Sequence, residues 1–517
     1  MSTSLISILN MSQHSIANNQ AALNVVSNNI SNMNTTGYSK QSVAFSSIPA
    51  YNSYNYCSSI GSLQIGSGAQ LVAINRNRAQ WLDNYFREQY TEYGYYNQIG
   101  SMTNNIENLL NNELSSTGLQ QKLSDFFSAS QALTTDPTNN AYRIAFVEAA
   151  EDVANMLNSM SSSLQSMREQ AVGTIGDPDS FDKSQIKMSV DELNDKLAQL
   201  AEINTEISKS MAGGSANNDL LDQRDVLLDE ISQAMPLTIT TNTNGTVNVH
   251  LGNKVLVEGG EQKLQLKAVQ TDDENNPVAI QLLDMEGNVK KSDVTDQFTS
   301  GSIKAIIDSG ADGELSYKST LDEIDRIAKA FAEEMNNIQI GTADGTIPYC
   351  IDENGQLVQA TEPIFVAEGG GDFTAANIKI NDAILKDPKL IATARGDADM
   401  DPNAVGNTSN LERFNQLETL KIPDLSNSTP PGEGQTLSGF ITSLVADIGS
   451  KVQTINEAAT AQQSVATQAE EQRNAYTGVD LNQELSDLIK FQRSYEASAR
   501  VFNTAADLME IITQLGA

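Results

Sequence analysis

Near the start of the chain, apolar residues recur at alternating steps of four and three. Leu5, Leu9, Ile16, Leu23, Val26, Ile30 and Met33 hold this period, with Ser12 and Asn19 at two of its positions. That is a heptad seam on a single helix of roughly 50 Å, at ~1.5 Å per residue. The far end repeats it. Leu481, Leu488, Tyr495, Phe502 and Met509 step by seven, with Phe491, Ser498, Ala505 and Ile512 between them. Two seams of equal length at opposite ends predict one two-stranded coiled coil; on period alone, two unrelated surface helices would look the same. Ser12, Asn19, Glu484 and Ser498 dilute the seams, so an isolated pair should be only weakly stable.

Between the ends, helical periods dominate. Trp81 to Leu110, Ala141 to Arg168 and Asp182 to Met211 each keep one, the last two parted by Gly176-Asp177-Pro178-Asp179. Leu220, Leu221, Leu227, Leu228 and Ile231 mark another helix, and Leu437 to Val452 open one that runs to about Asn474. Long amphipathic helices with short connections imply a bundle. The pattern changes after Pro236. Leu237, Ile239 and Thr241 alternate up to Asn244-Gly245, and Val247, Val249 and Leu251 alternate back, which predicts a hairpin with a type I′ turn. Strand-like pieces follow at 255–257, 278–283 and 378–380, interrupted by a helix through Leu321, Ile324, Ala328, Phe331, Met335 and Ile338.

The expected fold is therefore mainly α with an inserted β-rich module. Residues 1–45 and 476–517 form a terminal coiled-coil domain, and 46–236 with 421–475 form a helical bundle. Residues 237–420 form a β-rich outer domain, within which 312–340 is a candidate for the bundle.

Charge sharpens this picture. The chain of 517 residues has a formal charge of −34, yet its first 39 residues carry no Asp, Glu, Lys or Arg. An ordinary surface helix would show Glu and Lys on its outer face. A face of Asn, Ser, Gln and Ala suits a helix enclosed by copies of itself, where a buried charge would be costly. The overall charge argues against nucleic acid and against anionic membrane surfaces as partners. No stretch approaches the ~20 apolar residues of a membrane span. The start lacks a signal peptide's basic region, as it would in a cytoplasmic protein or in one exported unfolded through a dedicated channel.

Candidate chemistry is sparse. His14 and His250 are isolated, and no nucleotide-binding glycine motif occurs. Cys57 and Cys350 have no metal-site or disulfide-framework spacing. Asp397, Asp399 and Asp401 mimic the start of a calcium loop, but Pro402 stands where glycine belongs and Thr408 where a bidentate glutamate belongs. Asp222, Arg224, Asp225, Asp229 and Glu230 read as a solvated helix face. The tyrosines between Tyr85 and Tyr96 lack interleaved basic residues except Arg87, so they read as helix packing. No catalytic residue, cofactor or metal site is assigned.

Two segments carry a family resemblance. Ala22 to Gln41, ALNVVSNNISNMNTTGYSKQ, resembles the N-terminal signature of the flagellar rod, hook and hook-associated proteins. Val479 to Arg500, VDLNQELSDLIKFQRSYEASAR, resembles the matching C-terminal signature. Physically the first is a helix stop. Asn28, Asn29, Asn32 and Asn34 tolerate left-handed backbone, Gly37 supplies positive φ, and Tyr38 packs back as an anchor. The reading Gly37-Tyr38-Ser39 and the helix NDLLDQRD from Asn218 to Asp225 are closer to hook-associated members than to rod or hook members.

The resemblance implies a non-enzymatic subunit of a ring or helical layer in the extracellular flagellum. Hook protein would lie below it and a second hook-associated protein above. Type III export with a dedicated chaperone would replace a cleaved signal. The implied assembly interface is Leu5, Leu9, Ile16, Leu23, Val26 and Ile30 with Leu481, Leu488, Phe491, Tyr495, Phe502, Met509 and Ile512. Another axial flagellar protein is the nearest alternative, and a carbohydrate- or host-binding adhesin, resting on the β module and tyrosines, is the alternative from a different class.

Overall fold

The computed structural model describes residues 2–48, 68–113, 118–214, 217–341, 345–425 and 434–515. Cys57, most of the 51–68 loop and most of the Pro/Gly/Ser-rich stretch at 423–434 lie outside them.

Helix α1 (Ser2–Ser31) leads into a hairpin of β1 (Gln41–Ser47) and β2 (Ala69–Arg76). Helices α2 (Gln80–Glu113), α3 (Leu119–Thr135), α4 (Asn140–Val172), the short α5 (Pro178–Phe181), α6 (Gln185–Ala212) and α7 (Asn218–Ala234) follow. Then come β3 (Thr238–Thr241), β4 (Val247–Leu251), β5 (Lys254–Glu258) and β6 (Glu261–Gln262), an antiparallel sheet in chain order. A second antiparallel sheet holds β7 (Leu264–Gln270), β8 (Val278–Asp284) and β9 (Val289–Lys291). Helices α8 (Ser302–Gly310) and α9 (Tyr317–Ile340) precede β10 (Ile347–Ile351), β11 (Leu357–Gln359), β12 (Phe365–Ala367), β13 (Ile378–Ile380), α10 (Asp382–Lys386), β14 (Ala394–Gly396) and α11 (Leu411–Gln416). Two long helices, α12 (Leu437–Thr477) and α13 (Leu481–Leu515), end the chain.

The long helices pair by the logic of their apolar faces. α12 runs antiparallel to α2, with Gln462 donating to the Gln89 carbonyl at 3.0 Å and Asn456 to Asn104 at 2.9 Å. Phe126, on α3, packs at a tilt against Phe146 on α4 and edge-to-face against Phe331 on α9, with ring centroids 5.1 and 5.5 Å apart. All six expected apolar positions of α9 are buried. Tyr90 stacks with Phe86 and Tyr93 along α2, and the Arg473 guanidinium of α12 covers the Phe86 ring at 3.8 Å.

The apolar core does not break at 236/237. Val249, Leu251, Leu256 and Leu266 belong to the same buried cluster as Leu197 and Leu200 of α6 and Ile231 of α7. Asn194 and Asn204 of α6 bond sheet backbone directly, at the Leu266 and Val247 carbonyls. The 237–310 module is thus packed onto the bundle rather than appended to it.

The hairpin turn differs from the expected type I′. Only Gly245 has positive φ, at 80°, and its N–H donates to the Asn242 carbonyl while Asn242 N–H donates to Thr246. This is a type I turn followed by a left-handed glycine. The Asn244 side chain accepts from the Thr246 hydroxyl at 2.8 Å, which holds it in the right-handed position.

Candidate assembly interface

α1 and α13 lie antiparallel along most of their length. Ser15 Oγ is 2.7 Å from Ser498 Oγ, and Asn29 Nδ2 donates to Glu484 Oε2 at 3.0 Å. On α1, Val26 is buried and Leu5, Leu9, Ile16, Leu23 and Ile30 are half-buried. On α13, Leu488, Phe491, Phe502 and Met509 are half-buried and Ala505 is buried. Leu481, Tyr495 and Ile512 depart from the expected seam, since all three are exposed. The register explains two of them. With Ser15 opposite Ser498, Leu481 lies beyond Ser31, where α1 has ended, and Ile512 lies where α1 is only beginning.

Other apolar side chains of α13 face away from α1. Leu485 and Ile489 (44% and 58% exposed) follow the seam positions on one flank. Val501, Leu508 and Ile511 lie on the opposite flank by heptad spacing, each about half exposed. No described residue of the chain covers either patch. α13 thus carries uncovered apolar surface on both sides of its seam.

The asparagine-rich segment after α1 stops the helix by side-chain bonding. Apart from glycines, no described residue has positive φ, so the asparagines do not use the left-handed backbone expected of them. Asn29 is buried; its side chain accepts from Gln41 N–H and donates to the Gln41 carbonyl, each at 2.9 Å. The Tyr38 hydroxyl donates to Asn29 Oδ1 at 2.8 Å. Burial, then Asp222, Asp219 and Glu484 nearby, push the Tyr38 phenol up to about 12. Asn32 Nδ2 donates to the Asn28 carbonyl at 3.0 Å, while Asn28 and Asn34 are exposed. Gly37 is required twice over: its φ is 78°, and a Cβ there would collide with Val226 of α7.

Behind this stop lies a buried ionic cluster that corrects the reading of α7 as a solvated face. Asp222 and Asp225 are 7% and 6% exposed. Arg76 of β2 reaches both at 2.6 Å, and the Ser39 hydroxyl donates to Asp222 at 2.7 Å. Arg78 lies 3.3 Å from Asp225 and 2.9 Å from Asp83 of α2, and Arg224 lies 2.9 Å from Asp225. Asp229 takes Arg87 of α2 at 2.7 Å and Arg473 of α12 at 2.6 Å. Burial alone would raise the Asp225 carboxyl, but Arg224, Arg78, Arg76 and Arg87 outweigh it and hold that group far below the ordinary range. At Asp83 and Asp222 burial wins, and both are raised.

The sequence held a signal for this joint. Lys40, Arg76 and Arg78 are the only charged residues in the first 78. All three end on carboxylates of later segments, with Lys40 Nζ 2.8 Å from Glu484. Lys40 N–H also donates to the Thr477 carbonyl at 2.8 Å, pinning the exit of α1 to the end of α12. The described residues include no group of three or more metal-ligating side chains, and none of their helices is long and apolar enough to cross a membrane.

Comparison with known proteins meets this geometry at both ends. Residues 9–38 match the flagella basal body rod protein family, and 472–515 match the flagellar basal body rod FlgEFG protein C-terminal family. Residues 103–346 match the flagellar hook-associated protein FlgK helical domain, a span that runs across 236/237. Flagellar hook-associated protein 1 of Bacillus subtilis is 24% identical, covering 99% of this chain and 99% of its own. Its Salmonella typhimurium counterpart is 25% identical over 98% of this chain and 100% of its own. The flagellar hook junction protein FlgK from Burkholderia pseudomallei shares the fold, with a TM-score of 0.56 at 13% identity over 76% of this chain and 99% of that one. Fold and terminal pair together define a structural protein of the bacterial flagellum. Within that class, the chain is a relative of flagellar hook-associated protein 1 along nearly its whole length.

Proposed function

We propose that this chain is a structural subunit of the hook–filament junction, required for filament assembly and motility, and that it catalyses no reaction. The observation that carries the reading is the α1–α13 pair: a first helix without charge, and a second with uncovered apolar patches on both flanks. In a ring or helical layer of copies the terminal pairs would form the inner tube, the bundle a middle layer and residues 237–420 the outer surface. Hook protein would meet the layer from below and a second hook-associated protein from above. An uncharged tube wall would let unfolded export substrates slide past with little electrostatic trapping. Export through the flagellar type III apparatus, with a chaperone covering the apolar ends, completes the reading.

Electron microscopy of a deletion strain tests it. Hooks without filaments, with filament subunits lost to the medium and full-length chain restoring filaments, are the expected result. Filaments on the deletion strain would remove the junction role, and loss of the hook itself would reassign the chain to another axial position.

A further inference from the structure

The geometry points to Glu484, held by Asn29 and Lys40, as the residue that selects the register of the α1–α13 pair. This goes beyond the junction role and does not depend on it. Leu9, Ile16, Leu23 and Ile30 repeat every seven residues, as do Leu488, Tyr495, Phe502 and Met509. A seam of identical heptads is nearly degenerate, because sliding one helix by seven residues sets apolar against apolar again. Something else must distinguish one register from the next.

Glu484 is suited to do so. It occupies a seam position at 1% exposure, where an unpaired carboxylate is strongly unfavourable. In the observed register Oε2 accepts from Asn29 Nδ2 at 3.0 Å and Oε1 faces Lys40 Nζ at 2.8 Å. Asn29 is itself buried and tied to Gln41 N–H and C=O. A slide of one heptad toward the chain start would put Glu484 against Ala22 and Val26, both buried and apolar. The opposite slide would bring Phe491 to Asn29 and leave the buried amide facing a ring. The first slide strips the buried carboxylate of both partners, and the second costs Asn29 its carboxylate while leaving its Gln41 bonds; only the observed register joins Glu484 to Asn29 and Lys40. The Ser15–Ser498 contact adds little selection, because a small hydroxyl can bond its own helix, as Ser498 does at the Ser494 carbonyl at 2.8 Å.

Disulfide trapping in the full-length chain, with Cys57→Ser and Cys350→Ala, reads the register. Ser498→Cys is combined in turn with Ser15→Cys for the observed register, and with Ile8→Cys or Ala22→Cys for the two slipped ones. Cross-linking needs Cα atoms within about 7 Å, far less than the shift of one heptad. With Glu484 present, only the Ser15→Cys partner should cross-link under mild oxidation. Glu484→Leu should raise the slipped products at least about tenfold relative to the observed one. Glu484→Gln, which still accepts from Asn29, should keep the observed register. Exclusive native cross-linking in Glu484→Leu would overturn the proposal, and assign register to the Lys40–Thr477 tether instead. Loss of all three cross-links in Glu484→Leu would overturn it as well, because the carboxylate would then be stabilising the pair rather than choosing its register.

Discussion

Phe126, Phe146, Leu157 and Ile231 in the bundle are wholly buried, and the cluster they belong to runs unbroken from α2 to α12. Along the terminal pair, Ala22, Val25, Val26 and Ala505 are the described apolar side chains that reach comparable burial. The interior has used most of its apolar surface on its own fold, Trp81 and Met188 being exposed exceptions. The terminal helices leave much of theirs uncovered, with a half-buried apolar seam joined by polar contacts at Ser15–Ser498 and Asn29–Glu484. One part buries its apolar residues within the chain, and the other leaves apolar surface that the proposed contacts with copies would cover. The ionic joint lies between them, with Lys40 on Glu484, Arg76 on Asp222 and Asp225, and Arg473 on Asp229.

The largest effect should come from breaking the interior. Phe126→Ala removes a ring that contacts Phe146 and Phe331, and should cost about 3–5 kcal/mol in thermal or denaturant unfolding. The joint comes next. Asp225→Asn leaves buried arginines short of a partner, at a cost of about 3–5 kcal/mol if the site stays dry and less if water enters. Its pH behaviour has a definite sign. Because the Asp225 carboxyl is depressed in the folded chain, its contribution is complete above the ordinary carboxylate range and is lost as pH falls below it. Asp83 and Asp222, both raised, work the other way, and their strain is relieved as they take up protons. Asp225→Asn should therefore flatten the acid limb of a stability-versus-pH curve; an unchanged limb would mean that Asp225 is not the group responsible. A smaller effect is expected at Gly37→Ala, where positive φ and the approach to Val226 together should cost about 1–3 kcal/mol. Equal stability of this variant in a melting experiment would show that the helix stop has room to relax.

The long helices were legible because their apolar residues keep one period over many turns, as Leu321 to Ile338 do in α9. The pairing of α1 with α13 was legible from two seams of equal length. The ionic joint was marked only by the isolated charges Lys40, Arg76 and Arg78, without their partners. Its members run from Ser39 to Arg473, and each looks solvated when judged by neighbours three or four residues away. The β1–β2 hairpin escaped for a related reason: its strands are separated by a long segment, so no tight-turn signal links Val43 to Ile74. At α3, Leu119, Leu123, Phe126 and Leu133 did carry a readable helical spacing, which the sequence reading passed over. Glu484 was read as a flaw in its seam, because sequence shows a charge among apolar positions but not the amide and ammonium that meet it.

The contrast between an interior closed on itself and a terminal pair left open is tested most directly by Ile489→Asp combined with Leu508→Asp in the full-length chain. Both side chains are exposed on opposite flanks of α13, so monomer stability should change by no more than about 0.5 kcal/mol per site. Thermal melting of the purified variant, its secretion, and filament growth in the complemented deletion strain are measured together. The account predicts an unaltered melt and normal secretion with no filaments. Normal filaments on these cells would contradict it, because the flanks of α13 would then not be where the copies meet.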